Sequence, residues 1–213
     1  MELFLSWLVI ASVQLAATMS PGPAFVVAVR NALAYDRKTG IATAFGLGLG
    51  VMAHVVFVLC GIAFIIAQSV FLFSFIKYAG AAYLFYIGIK AILNSRKGKN
   101  KPVVDDSDIP QSAKSISLRK AIVTGFLTNL LNPKAVVFFT AVFTQFIHPE
   151  TPFSVLALYG GTSVSIEFLW FAGVSIVLTH ARIRAVFLSF MHWVERICGG
   201  LMLGLGIKLA LSK

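Results

Sequence analysis

Long apolar runs separated by short polar clusters set the rhythm of this chain. The runs cover 3–34, 40–67, 70–93, 119–147, 152–179 and 186–210, and each reaches the roughly 20 residues that a helix needs to cross a bilayer. Six membrane-spanning helices are therefore predicted, an all-α integral membrane fold. Two of the runs are interrupted, the first by Ser20-Pro21-Gly22-Pro23 and the fourth by Asn132-Pro133. Proline removes a backbone donor and glycine relaxes the chain, so a continuous helix through either point is a poor solution. Ser or Asn followed by proline is also a helix start, with the side chain as cap and the proline pre-set for the first turn. Helices 1 and 4 are thus predicted to break in mid-span, with Ser20 and Asn132 as caps. Free backbone at that depth survives only where it is buried in protein or lines a cavity.

Composition agrees with the pattern. The 213 residues are 58% hydrophobic and 12% charged, with a mean hydropathy of +0.88, which is too apolar for a soluble domain. Leu3 to Met19 has the apolar character of a secretory leader but follows Glu2 rather than a basic segment, so it is read as the first span. The net charge of +10 does not point to nucleic acid, because its distribution follows the loops. Thirteen of the eighteen Lys and Arg fall on one side: Arg30, Arg37 and Lys38; Lys90 to Lys120 across the central polar stretch; and Arg182 and Arg184. The positive-inside rule makes that side cytoplasmic and puts both termini outside. If the first half of span 1 failed to cross, five spans and an internal N-terminus would result.

The two halves of the chain resemble each other. Gly88-Ile89-Lys90 matches Gly206-Ile207-Lys208, Ser20-Pro21 answers Asn132-Pro133, and Gly46 answers Gly160, all in the same order. Three spans per half force opposite orientations, so residues 1–93 and 119–213 are predicted to form two inverted repeats joined by a mobile cytoplasmic linker, 94–118. Cys60 and Cys198 stand alone and read as small buried residues. Gly200-x-x-x-Gly204 reads as a close-packing surface, with a homodimer contact as the alternative. Lys77, Glu195 and Arg196 are expected near an outer boundary.

Candidate chemistry gathers at the breaks. Asn132 lies a dozen residues past Lys120, or roughly 18 Å along a helix, near the middle of the hydrocarbon core. The two half-helices starting at the breaks would turn their positive ends toward each other, a setting suited to a carboxylate, and Lys134 adds a full charge that needs a wet cavity or a counter-ion. Glu167, in the middle of span 5, shares one helical face with Gly160 and Ser163, and His54 shares one with Ala42, Gly46 and Gly50, so both are expected to point inward. Glu167 is either a substrate or proton contact or a structural partner of Lys134. His54 is either a hydrogen-bonded packing residue or part of a proton relay.

Ser20-Pro21-Gly22-Pro23, the turn Arg37-Lys38-x-Gly40 followed by Gly46, Gly50 and His54, and Gly125-Phe126-x-x-Asn129-x-x-Asn132-Pro133-Lys134-Ala135 with Phe138-Phe139 together resemble the lysine-exporter/homoserine-exporter (LysE/RhtB) family of amino-acid efflux proteins. The likeness covers nearly the whole chain. Asp36 departs from the glycine common before the basic pair. Membership implies secondary export of amino acids or close derivatives from the bacterial cytoplasm, through the inner membrane, driven by protons or by exchange.

On both lines the expected substrate site comprises Ser20, Pro21, Gly22, Pro23, Asn129, Asn132, Pro133, Lys134 and Glu167. Lys134 and the helix starts would take the carboxylate, and Glu167 with carbonyls freed at the breaks would take the ammonium. Glu167 and His54 are the proton-coupling candidates. Asp36, Arg37 and Lys38 would close the cytoplasmic mouth, while Phe138, Phe139 and Trp170 shape a pocket or face lipid. No enzyme chemistry, cofactor, resident metal or nucleic-acid partner is expected. A metal-ion exporter and a membrane thiol-transfer protein share the inverted-repeat plan, but the first needs clustered ligands and the second cysteines at the breaks.

Overall fold

The computed structural model describes residues 1–68, 70–97, 116–147, 150–178 and 181–211. Within them the chain forms eight helices: α1 (Glu2–Met19), α2 (Pro23–Ala34), α3 (Arg37–Gln68), α4 (Val70–Lys97), α5 (Leu118–Leu130), α6 (Pro133–Phe146), α7 (Phe153–Leu178) and α8 (Ala181–Leu211). The predicted breaks are where the helices end. α1 and α2 meet at 58°, and α5 and α6 at 59°. Three single helices are long and apolar enough to cross a membrane, and each bent pair qualifies as one further span, which makes up to five among the described residues. α8 is 31 residues long but carries Glu195, Arg196 and Lys208 along its length and does not pass the same test.

The second break follows its prediction and the first differs in detail. Pro133 opens α6, and Asn132 Oδ1 accepts the amide hydrogen of Lys134 at 3.0 Å, a side-chain cap of the expected kind. Ser20 instead closes α1. The start of α2 falls at Pro23, with Gly22 in the cap position and no side-chain bond to the first turn. Two prolines two residues apart compete to open the helix. The later one wins, because Pro21 and Gly22 are left as the extended link between the two axes.

Packing divides the helices into two groups. α3 lies between α5 and α7, with α2 laid against α3 and α7; α4 pairs with α8, α1 packs on α7 and α8, and α6 packs on α4. The α3–α5 contact is close enough to require glycine. A Cβ on Gly46 would overlap the carbonyl of Ile122, and one on Gly125 would overlap that of Thr43. Phe25, Leu47 and Phe171 fill the space between α2, α3 and α7, while Ile10, Leu84, Phe139, Phe143 and Met202 fill that between α1, α4, α6 and α8. Phe57, Phe71, Phe75 and Leu169 are exposed on the outside, an apolar surface that suits lipid.

Several expectations are corrected. α4 continues through Lys97, and most of the linker expected at 94–118, residues 98–115, lies outside the described residues. Cys198 is buried, but Cys60 is exposed. Gly200 and Gly204 meet nothing within 4 Å, and it is Gly199 and Gly206 that pack on α4. Lys77 and Arg196 do not share a boundary. Arg196 Nε donates to Ser95 Oγ at 3.2 Å, and Ser95 lies about 27 Å from Lys77 along α4 at 1.5 Å per residue. The antiparallel run of α8 against α4 sets this, since its register depends on glycine contacts that hydropathy does not report.

Candidate functional site

Two chambers meet at the breaks. The first, with about 40 Å³ of space open to water, is lined by Gln14, Thr18, Gly22, Asn129, Lys134 and Glu167 among others. The second, with about 210 Å³ of space open to water, lies toward the C-terminal part of α4 and is lined by Pro21, Pro23, Tyr86, Lys90, Asn94, Pro133 and Glu195, with further residues. Ser20, Gly22, Asn132 and Lys134 belong to both walls.

Lys134 is held in a way that the sequence did not suggest. Its Nζ donates to the carbonyls of Ala17, at 2.9 Å, and Ser20, at 3.0 Å. Within a helix the Ala17 carbonyl would receive the amide four residues on, but that residue is Pro21, which has none. The ammonium supplies the missing donor and sets a cation at the negative end of α1. It also occupies the freed carbonyls that were expected to meet a substrate ammonium. Two of its three N–H groups are used and one remains. Beside it, α2 begins without a side-chain cap, so the amides of Ala24 and Phe25 have no partner within the helix, and both residues line the first chamber. The two helix starts are therefore unequal: α6 is capped by Asn132, and α2 is open.

Glu167, in the same chamber, is buried in a set of donors. Its Oε2 accepts from Thr18 Oγ1 at 2.6 Å and from Gln14 Nε2 at 3.4 Å, and its Oε1 accepts from Asn129 Nδ2 at 3.1 Å. Asn129 also donates to the Leu47 carbonyl, which ties α5, α3 and α7 together at this depth. Lys134 and Glu167 line one chamber, and the hydrogen bonds that hold each go to other groups. Gln14 and Thr18 were not anticipated. Their signal was available: two polar side chains four apart in a largely apolar helix share a face.

His54 is buried and stacks on Phe139 at 5.8 Å. Its Nε2 lies 2.9 Å from the carbonyl oxygen of Asn129; a carbonyl only accepts, so that nitrogen carries the hydrogen. His54 and Glu167 thus touch the same residue, one through its backbone and the other through its side chain. Phe138 and Phe139 line the first chamber, whereas Trp170 packs on the α2–α3–α7 cluster. Asp36, Arg37 and Lys38 are exposed at the α2–α3 turn and line neither chamber. Asp36 caps α3, accepting the Thr39 amide at 2.7 Å. Among the described residues no three His, Cys, Asp or Glu converge as a metal site.

Comparison with known proteins places this geometry. The model of the LysE type translocator family matches residues 15–213. The threonine efflux protein of Escherichia coli K12 is 29% identical over 97% of this chain and 98% of its own length. An uncharacterized membrane protein of Vibrio cholerae is 29% identical over 97% of both chains, and one of Bacillus subtilis is 29% identical over 90% and 92%. No solved structure matches the chain. A match over almost the whole length, across both broken spans, shows that this protein is a membrane protein of the LysE type translocator family, whose members are transporters and not enzymes.

Proposed function

We propose that the chain exports amino acids or close derivatives from the bacterial cytoplasm across the inner membrane by alternating access. One observation carries the reading: a cation beside an open helix N-terminus and a carboxylate line one chamber at the helix breaks. A zwitterion presents the complementary charges. Its carboxylate meets the remaining N–H of Lys134 and the free amides of α2, and its ammonium meets Glu167. Glu167 also carries the proton when export is coupled to the proton gradient, or stays charged when the substrate is exchanged. The threonine efflux relatives make threonine the first amino acid to try.

The two halves, 1–93 and 119–213, act as inverted repeats in this scheme, and the near-equal bends of their broken helices support it. The termini lie outside. Among the described residues α2 and α5 make no substantial contact with α4 and α8, whereas α1 and α6 pack on that pair. With the basic side cytoplasmic, the second chamber then opens toward the cytoplasm, and this arrangement is the inward-facing state. Cells or liposomes loaded with labelled threonine and other amino acids test the reading. Faster efflux with the protein than without it is expected, lost in Lys134→Ala at matched membrane abundance. Absence of efflux for every amino acid tried would reject it.

A further inference from the structure

Gln14 stands in the first chamber wall with one half of its amide unused. Its Nε2 donates to Thr18 Oγ1 at 3.1 Å and to Glu167 Oε2 at 3.4 Å. The amide cannot be turned round, because its oxygen would then face the oxygen of a carboxylate. Oε1 is therefore committed to the other side, where it is buried and has no partner among the described residues. Gln14 is only 2% exposed, so bulk water does not serve that oxygen. An unmet acceptor at this depth is costly, and a polar side chain held there calls for a use. Asn31 Oδ1 and Gln145 Oε1 are also buried without a partner, but neither residue lines a chamber. Gln14 alone of the three combines the orphan acceptor with the cavity.

We propose that Gln14 Oε1 accepts a hydrogen bond from the substrate's ammonium and is a specificity-determining residue. An α-ammonium carries three N–H groups. A carboxylate takes one or two of them, and Glu167 already accepts from Gln14, Thr18 and Asn129, so a second acceptor is needed to replace the water that the ammonium gives up. The Gln14 amide couples the two acceptors: its N–H side fixes Glu167, and its C=O side is left for the same ligand group. The site then selects α-amino acids over carboxylic acids of the same shape that lack the amine. A ligand without the donor leaves Oε1 unmet, and buried polar groups left unpaired are what give a polar site its discrimination.

This inference rests on the amino-acid reading, and its test separates the two. The full-length protein in liposomes is assayed for outward transport of labelled threonine, with inhibition by unlabelled threonine and by 3-hydroxybutanoate, the same molecule without its amine. Wild type is expected to prefer threonine. Gln14→Met keeps length and loses the acceptor, and it should weaken threonine by about 10- to 100-fold, the value of one hydrogen bond to a charged group, while leaving inhibition by 3-hydroxybutanoate in place. If that variant fails to insert, Gln14→Asn keeps an amide and withdraws it by one methylene, and the same split is expected. Equal loss for both ligands would overturn the proposal, as would no loss for either; so would a threonine-selective loss of the same size in Thr18→Val, which removes a donor to Glu167 but no free acceptor and so reports support of the carboxylate alone. Failure of wild type to move any amino acid would remove the transport reading and this inference with it.

Discussion

Lys134 offers the sharpest test, because its role in the fold and its role in transport can be pulled apart. Lys134→Met removes two charge-assisted hydrogen bonds, to the carbonyls of Ala17 and Ser20, worth about 3–6 kcal/mol before other effects. It also removes the cost of keeping a charge at mid-depth, so the net loss of stability is expected to be smaller, about 1–3 kcal/mol. The Ala17 carbonyl depends on Lys134 because residue 21 has no N–H. Pro21→Ala supplies one. Added to Lys134→Met, it should recover about 1 kcal/mol. In the wild-type background the new amide would compete with a lysine already in place and contribute less. Thermal or urea unfolding of the four proteins in detergent gives the coupling. Effects that add to within about 0.3–0.5 kcal/mol would refute the account of Lys134 as a substitute for the missing amide. Transport then decides the second role. The double variant should regain stability but not efflux, because the carboxylate partner is still missing. Restored efflux would make Lys134 a helix cap and nothing more.

Other outcomes follow from the same structure. All three partners of Glu167 donate to it, so Glu167→Gln places an amide N–H₂ among donors; a loss of about 1–3 kcal/mol is expected, with pH-driven net efflux abolished and exchange retained, and wild-type pH-driven efflux in liposomes would end the coupling proposal. Gly46→Val should reduce membrane abundance, since overpacking a close contact costs about 1–3 kcal/mol or more, whereas Gly61→Ala, with nothing within 4 Å, should be silent; equal abundance of the two would contradict the α3–α5 contact. Asp36→Ala should cost about 0.5–2 kcal/mol at neutral pH through loss of the α3 cap, at the low end because the residue is exposed. The Thr39 hydroxyl and amide hold the Asp36 carboxyl below its ordinary range, so the difference from wild type should be present above about pH 4 and fade as acid protonates the group; a difference constant down to acid pH would reject the cap. In a background lacking Cys60 and Cys198, Ser154→Cys should react with an impermeant thiol reagent in intact cells and Lys38→Cys should not, and the reverse pattern would invert the orientation.

What could be read from the chain alone was what depends on neighbours in sequence. Apolar length sets a helix against a bilayer, and proline at 23 and 133 ends one helix and begins another, because the missing N–H and fixed backbone angle act within a single turn. The family likeness was carried by the same local motifs. Even there a local ambiguity remained, because either Pro21 or Pro23 could open α2. Glu167 was recognisable as inward-facing, because a single acid at mid-span has few places to go. Its partners were not, since Thr18 and Gln14 meet it only when α1 crosses α7, 149 and 153 residues away in the chain. The docking of Lys134 on α1, the unequal capping of the two helix starts and the placement of Glu195 beside the second chamber are likewise products of tertiary structure. Each depends on which helices are neighbours and in what register, and that is settled by side-chain interlock at glycines such as Gly46, Gly88 and Gly199, where hydropathy is the same whatever the partner.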